Sequence, residues 1–159
     1  MNVHAYERFW MWVGAGIVVV FLTFIGITTV GYGVRPPSHI ETIPDPAQTL
    51  SDPRFAQQGV TTLPDGRVQV TIVALMFSWL PAEIHVPAGR PVTFRLAALD
   101  VTHGFQIAGT NVNTMVVPGY VSQLTTTFDR PGEYLFVCNE YCGTGHHTMG
   151  GKLVVEAAP

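Results

Sequence analysis

The segment Cys138-Asn139-Glu140-Tyr141-Cys142-Gly143-Thr144-Gly145-His146-His147-Thr148-Met149 puts two thiols, two imidazoles and one thioether within twelve residues. Thiolates and thioethers are soft donors, and together with imidazole they favour copper over hard cations. Gly143, Gly145 and Gly150 permit the tight backbone path that would turn these donors towards one point. A further imidazole, His103, stands upstream in Asp100-Val101-Thr102-His103-Gly104-Phe105. Several chemistries compete for this set. A Cys138–Cys142 disulfide suits an oxidising compartment but leaves His146 and Met149 without a role. A structural zinc site would take both cysteines, His103 and His146, and would not call for Met149. A mononuclear blue-copper site wants one Cys, two His and a weak Met, so the second Cys is idle. Two coppers, each touching both sulfurs, give every donor a place.

Such a loop needs a rigid frame, and the flanking sequence predicts one made of strands. Val68 to Phe77 is rich in β-branched residues, and Pro91 to Ala97 alternates around Val92, Phe94 and Leu96. Val121 to Phe128, Gly132 to Cys138 and Gly151 to Glu156 complete a series of short runs. Pro87-Ala88-Gly89, Pro118-Gly119 and Asp129-Arg130-Pro131-Gly132 separate them as turns. This spacing predicts an all-β sandwich or barrel over residues 68–159. The donor loop would join two strands, and His103 would start a third at the same end. Residues 35–67 carry Pro36, Pro37, Pro44, Pro46, Pro53 and Pro64. They read as an extended or irregular connector, with Asp65-Gly66 a tight turn opening a hairpin.

Upstream of the connector, Phe9 to Val34 is 26 residues without a charge, bracketed by Arg8 and Arg35. A helix of that length reaches roughly 39 Å, enough to cross a bilayer with tilt. Phe9, Trp10 and Trp12 at one end and Tyr32 at the other suit the two interfaces. Residues 1–34 are therefore expected to form a tail and one membrane helix, breaking near Gly31-Tyr32-Gly33 and stopped by Pro36-Pro37. This span accounts for a charged fraction of only 12%, about half that of an ordinary soluble domain. Eight Lys and Arg against eleven Asp and Glu give −3, with no basic cluster to neutralise phosphates, which excludes a nucleic-acid binder. Disorder is excluded by the apolar content, 47% of residues.

Cys-x-Glu-x-Cys-x3-His-x2-Met, preceded by Asp-Val-x-His, resembles the binuclear copper centre, CuA, of cytochrome c oxidase subunit II. The resemblance runs through anchor, sandwich and ligand loop, and it implies a cupredoxin-like Greek-key sandwich. It implies that Cys138 and Cys142 bridge two copper ions and that His103 and His146 bind one each. Met149 and the backbone carbonyl of Glu140 would be weak axial ligands, one on each copper. The Glu140 carboxylate would reach a Mg²⁺ at the contact with subunit I. The family accepts electrons from cytochrome c and passes them to haem in subunit I, where oxygen is reduced. Two departures are similar to the B-type oxidases: one membrane helix instead of two, and Leu75-Met76-Phe77-Ser78-Trp79 in place of an aromatic run. Leu75 then stands at the usual electron-entry position. Phe77 and Trp79 read equally as sandwich packing.

These implications define an electron-transfer subunit with no oxygen chemistry of its own. The expected partners are a haem-bearing subunit I and cytochrome c or another small donor. The expected location is the cell's inner membrane, crossed once, with the copper domain on the outer, periplasmic side. Two other classes share the sequence features: the CuA subunit of a haem–copper nitric oxide reductase, and a membrane-tethered copper carrier. His4, His39, His85 and His147 are assigned no ligand role, and Asp100 either hydrogen-bonds near His103 or simply starts the turn.

Overall fold

The computed structural model describes residues 3–31 and 38–157, divided between two compact units, Met1–Pro36 and Pro37–Pro159. The first is one helix, α1 (Val3–Gly31). Its large apolar side chains, Trp10, Phe21 and Val30 among them, are exposed. It is long and apolar enough to cross a membrane. Two of its three threonines, Thr23 and Thr28, donate to the carbonyls of Val19 and Ile25. Polar groups in lipid need such internal partners. The predicted break beyond Gly31 and the stop at Pro36-Pro37 lie outside the described residues.

Among the described residues the second unit is a sandwich of eleven strands: β1 (Ser38–Thr42), β2 (Gly59–Thr62), β3 (Val68–Leu75), β4 (Ser78–Leu80), β5 (Glu83–Pro87), β6 (Pro91–Ala98), β7 (His103–Ile107), β8 (Asn113–Val116), β9 (Tyr120–Thr127), β10 (Gly132–Cys138) and β11 (Gly150–Glu156). One sheet has the order β1-β9-β6-β3-β2, with β4 also paired to β3; the other runs β5-β11-β10-β7-β8. The β3–β6 and β5–β11 pairs are parallel, the rest antiparallel. The chain passes repeatedly from one sheet to the other, giving a cupredoxin-like sandwich. Alternate residues of each strand face inward, and Val70, Ile72, Phe94, Leu96, Phe105, Ile107, Phe136 and Leu153 are buried between the sheets.

Residues 38–67, expected as an extended or irregular connector, are part of the sandwich. Residues 38–62 contribute β1, β2 and a 3-10 turn (Pro46–Ser51) to the sandwich. Pro46 opens the 3-10 turn, where Asp45 caps Ala47 N–H, and Pro64 sits in the β2–β3 hairpin turn. That hairpin uses Asp65-Gly66 as expected, with Gly66 in a left-handed conformation at φ +84°. The strap from β1 to β2 covers the outer face of the β3–β6–β9 sheet. Ile43 and Phe55 pack there on Val73, Ala97 and Val121 as a second core. A charge network fixes it. Glu41 Oε2 accepts from Arg54 Nη1 at 3.0 Å and from Arg95 Nη2 at 2.6 Å. Asp52 Oδ2 accepts from Arg54 Nη2 at 2.6 Å. The Arg54 guanidinium holds the Asp52 carboxyl down at about 2. Arg95 also lies over the Phe55 ring, 5.8 Å from its centre.

Candidate metal centre

Strand β10 ends at Cys138 and β11 begins at Gly150, and the two strands are antiparallel neighbours with Val137 opposite Gly150. The loop between them is closed at its base by Cys138 N–H donating to Met149 O at 3.0 Å. Residues 139–149 therefore leave the sheet and return to the same place. His103 opens β7, the other neighbour of β10, where Phe105 pairs with Cys138. Gly104 lets the loop pass close by: a Cβ there would collide with Asn139 Oδ1 and stand 3.0 Å from Glu140 N.

The six predicted donors converge on this end of the sandwich. Cys138 and Cys142 are both free, with Sγ atoms 3.8 Å apart. A disulfide is about 2.05 Å long, so the two sulfurs are unbonded neighbours. His103 Nδ1 lies 3.8 Å from Cys138 Sγ and His146 Nδ1 3.6 Å from Cys142 Sγ. Met149 Sδ is 3.7 Å from Cys142 Sγ, and the carbonyl of Glu140 accepts from the Cys138 thiol at 3.1 Å. His103, Cys138 and Cys142 offer atoms that all lie within 4.8 Å of one another. His103 is 0% exposed, Met149 2%, Cys142 5% and Cys138 6%. His146 is half-buried, with the exposed ring of Tyr141 centred 6.0 Å from it. His147 is exposed.

The donor spacing fits metal binding. A tetrahedral ion with thiolate bonds of about 2.3 Å, the zinc value, sets its two sulfurs about 3.8 Å apart. Burial, then the neighbouring Cys138 thiol, pushes the Cys142 thiol up to about 11. Without a cation this thiol keeps its proton, and a soft cation must displace it. The remaining donors exceed one four-coordinate ion. Two imidazoles, a thioether and a carbonyl flank the pair of sulfurs.

Asp100 orients His103. Its Oδ1 accepts from His103 Nε2 at 2.9 Å and from Val101 N–H at 2.7 Å, while Oδ2 accepts from Met76 N–H at 2.6 Å. Burial pushes the Asp100 carboxyl up, but these hydrogen bonds outweigh it and hold the group below its ordinary value. An ionised carboxylate accepts the hydrogen bond from Nε2–H, so the Nδ1 lone pair is the one presented to the sulfurs. Beneath His103 lies the Trp79 ring, centred 6.1 Å away and in edge contact with Phe105 and Phe136. Trp79 is core packing, as expected. Phe77, partly buried, packs on the edge of that core and also lies against the ligand loop, a contact that strand periodicity does not signal.

Residues 66–158 match the family model described as cytochrome C oxidase subunit II, periplasmic domain. The chain belongs to this family. A subunit II sequence, cytochrome c oxidase subunit 2 of Thermus thermophilus, is 37% identical over 156 residues, covering 96% of this chain and 92% of that one. A chain from a haem–copper terminal oxidase dimer solved by cryo-electron microscopy superposes with a TM-score of 0.76 at 29% identity. That match covers 94% of this chain and 99% of the other. The periplasmic domain of oxidase subunit II from Bradyrhizobium japonicum shares the fold at a TM-score of 0.52 and 17% identity, over 56% of this chain and 83% of the other. Subunit II of a haem–copper oxidase is thus the setting in which the sulfur–imidazole cluster has to be read.

Proposed function

We propose that this subunit II takes electrons from cytochrome c at a two-copper CuA centre and passes them to haem in subunit I. The observation that carries the reading is the convergence of six donors around two unbonded sulfurs 3.8 Å apart. Cys138 and Cys142 would bridge both ions, with His103 and His146 as one imidazole for each. Met149 and the Glu140 carbonyl would be the weak axial donors. The copper pair supplies a one-electron couple whose charge is spread over two ions. The chain's part is to keep that couple stiff and dry. Asp100 fixes the tautomer and rotation of His103. Trp79, Phe105 and Phe136 form a close-packed floor beneath it. Burial of Met149 and both cysteines keeps water from the sulfurs. Glu140 is exposed, which leaves its carboxylate available to a hard cation such as Mg²⁺ at the contact with subunit I. The chain itself carries out no oxygen reduction. It sits in the inner membrane on α1, with the copper domain on the outer side.

Metal analysis and electron spin resonance of the full chain in detergent test the centre. The expected result is two coppers per chain and one unpaired electron shared by two nuclei. One tightly held zinc, with no copper uptake, would overturn the reading. Met149→Leu is expected to keep both coppers and raise the reduction potential, because the lost thioether stabilises the oxidised state more than the reduced one. His147→Ala is expected to leave the optical spectrum as it was; a lost spectrum would show that the loop register is wrong. For topology, protease added outside right-side-out vesicles should remove the copper domain, and protection would reverse the orientation.

A further inference from the structure

Phe77 is the one non-glycine among the described residues with a left-handed backbone, at φ +67°. It sits with Met76 in the two-residue turn between Leu75 and Ser78, which pair as the last rungs of β3 and β4. Turns of this length favour Asn and Gly, and a bulky residue at positive φ is strained. The turn is held from below: Met76 N–H donates to Asp100 Oδ2, and Asp100 Oδ1 accepts from His103 Nε2. From above, the Phe77 ring bears on the backbone of the ligand loop. A Cβ added at Gly145 would stand 2.7 Å from two atoms of that ring, and one added at Gly143 would stand 3.0 Å from two others. Gly143 has φ +133°, so it is glycine for conformation as well as space. Gly145 has an ordinary φ of −89°. Its missing side chain is therefore a matter of room for the ring alone. These two glycines lie between Cys142 and His146.

We propose that Phe77 is the positioning residue of the ligand loop: its ring sets the Cys142–His146 segment, and Asp100 couples that setting to His103. One carboxylate thereby governs both halves of the cluster, directly at His103 and through the Met76-Phe77 turn at His146. The inference rests on the two-copper reading for its consequence but not for its geometry, which the metal-free chain also tests.

The experiment uses the full chain in detergent with Phe77→Ala, Phe77→Gly, Gly145→Ala and the Phe77→Ala/Gly145→Ala double variant. Phe77→Gly removes the ring but relieves the backbone, so the melting temperature should fall less than in Phe77→Ala. In the metal-free chain, amide exchange over residues 143–146 should nevertheless quicken about tenfold in both Phe77 variants. After copper loading, release to a chelator should quicken by a similar factor, about tenfold, and the copper hyperfine pattern should broaden. Gly145→Ala alone should reproduce these changes, because its new methyl strikes the ring. Added to Phe77→Ala it should change nothing further, because the ring it would strike is gone. Unchanged exchange in Phe77→Gly, or a Gly145→Ala effect of equal size in both backgrounds, overturns the proposal. A wild-type chain that takes up no copper pair would defeat the two-copper reading, while the exchange measurements still decide the role of Phe77.

Discussion

Cys142→Ser is expected to end two-copper binding, with metal content falling to one ion or none and the shared-electron signal lost. Serine offers a hard oxygen that keeps its proton, where a bridging site needs a soft thiolate. The substituted hydroxyl would also be buried at a position only 5% exposed, with His146 Nδ1 beside it and otherwise the sulfurs of Met149 and Cys138, which are poor hydrogen-bond partners. Losing even an outer partner of a metal ligand costs about 10–100-fold in affinity, so losing a shared ligand should exceed that range. Cys138→Ser should behave alike and in addition remove the thiol that meets the Glu140 carbonyl. Metal analysis with electron spin resonance checks both variants. A Cys142→Ser chain holding two coppers with an unchanged signal would show that the sulfurs are not bridges.

A second large effect concerns where the copper domain can be cut. The family match begins at residue 66, which invites a fragment starting at Val68. Such a fragment would lose β1 and β2 and leave Val73, Ala97 and Val121 without Ile43 and Phe55 above them. Burying two such side chains is worth about 3–6 kcal/mol, against a total stability of about 5–15 kcal/mol for a domain. A fragment of residues 37–159 is expected to melt cooperatively. A fragment of residues 68–159 should be unfolded or aggregated, or should melt at least about 10 °C lower. Circular dichroism on heating checks this, and equal melting temperatures would show that the strap adds nothing.

The strap also marks where the sequence was misleading. Six prolines between residues 35 and 67 argue for irregular chain, and strands that pair with partners some 80 residues away leave no local trace. Ser38 opposite Gln123 is such a pair. The longer strands were legible because β-branched runs such as Val68–Val73 carry their own period. The three-residue β4 and four-residue β8 are too short to show one. The donor set was legible for a different reason: ligand chemistry resides in residue type, and Cys138, Cys142, His146 and Met149 share one loop. Asp100 and His103 are three residues apart, so their contact too could be anticipated. Phe77 against Gly145 could not. It depends on a turn that local preference would have assigned to Asn-Gly and on a contact across 68 positions of chain.

The donor loop leaves β10 at Cys138 and re-enters the sheet at Gly150, with its feet tied by one backbone hydrogen bond. Four of the five side-chain ligands of the proposed centre lie on this one excursion; His103 alone comes from elsewhere. Insertions, deletions or donor swaps between the feet leave both ladders of the sheet in register. Metal identity and nuclearity are in that sense heritable as a cassette. A lineage can rewrite the electronic character of such a protein through a dozen codons, while selection for folding acts on a scaffold that hardly registers the edit.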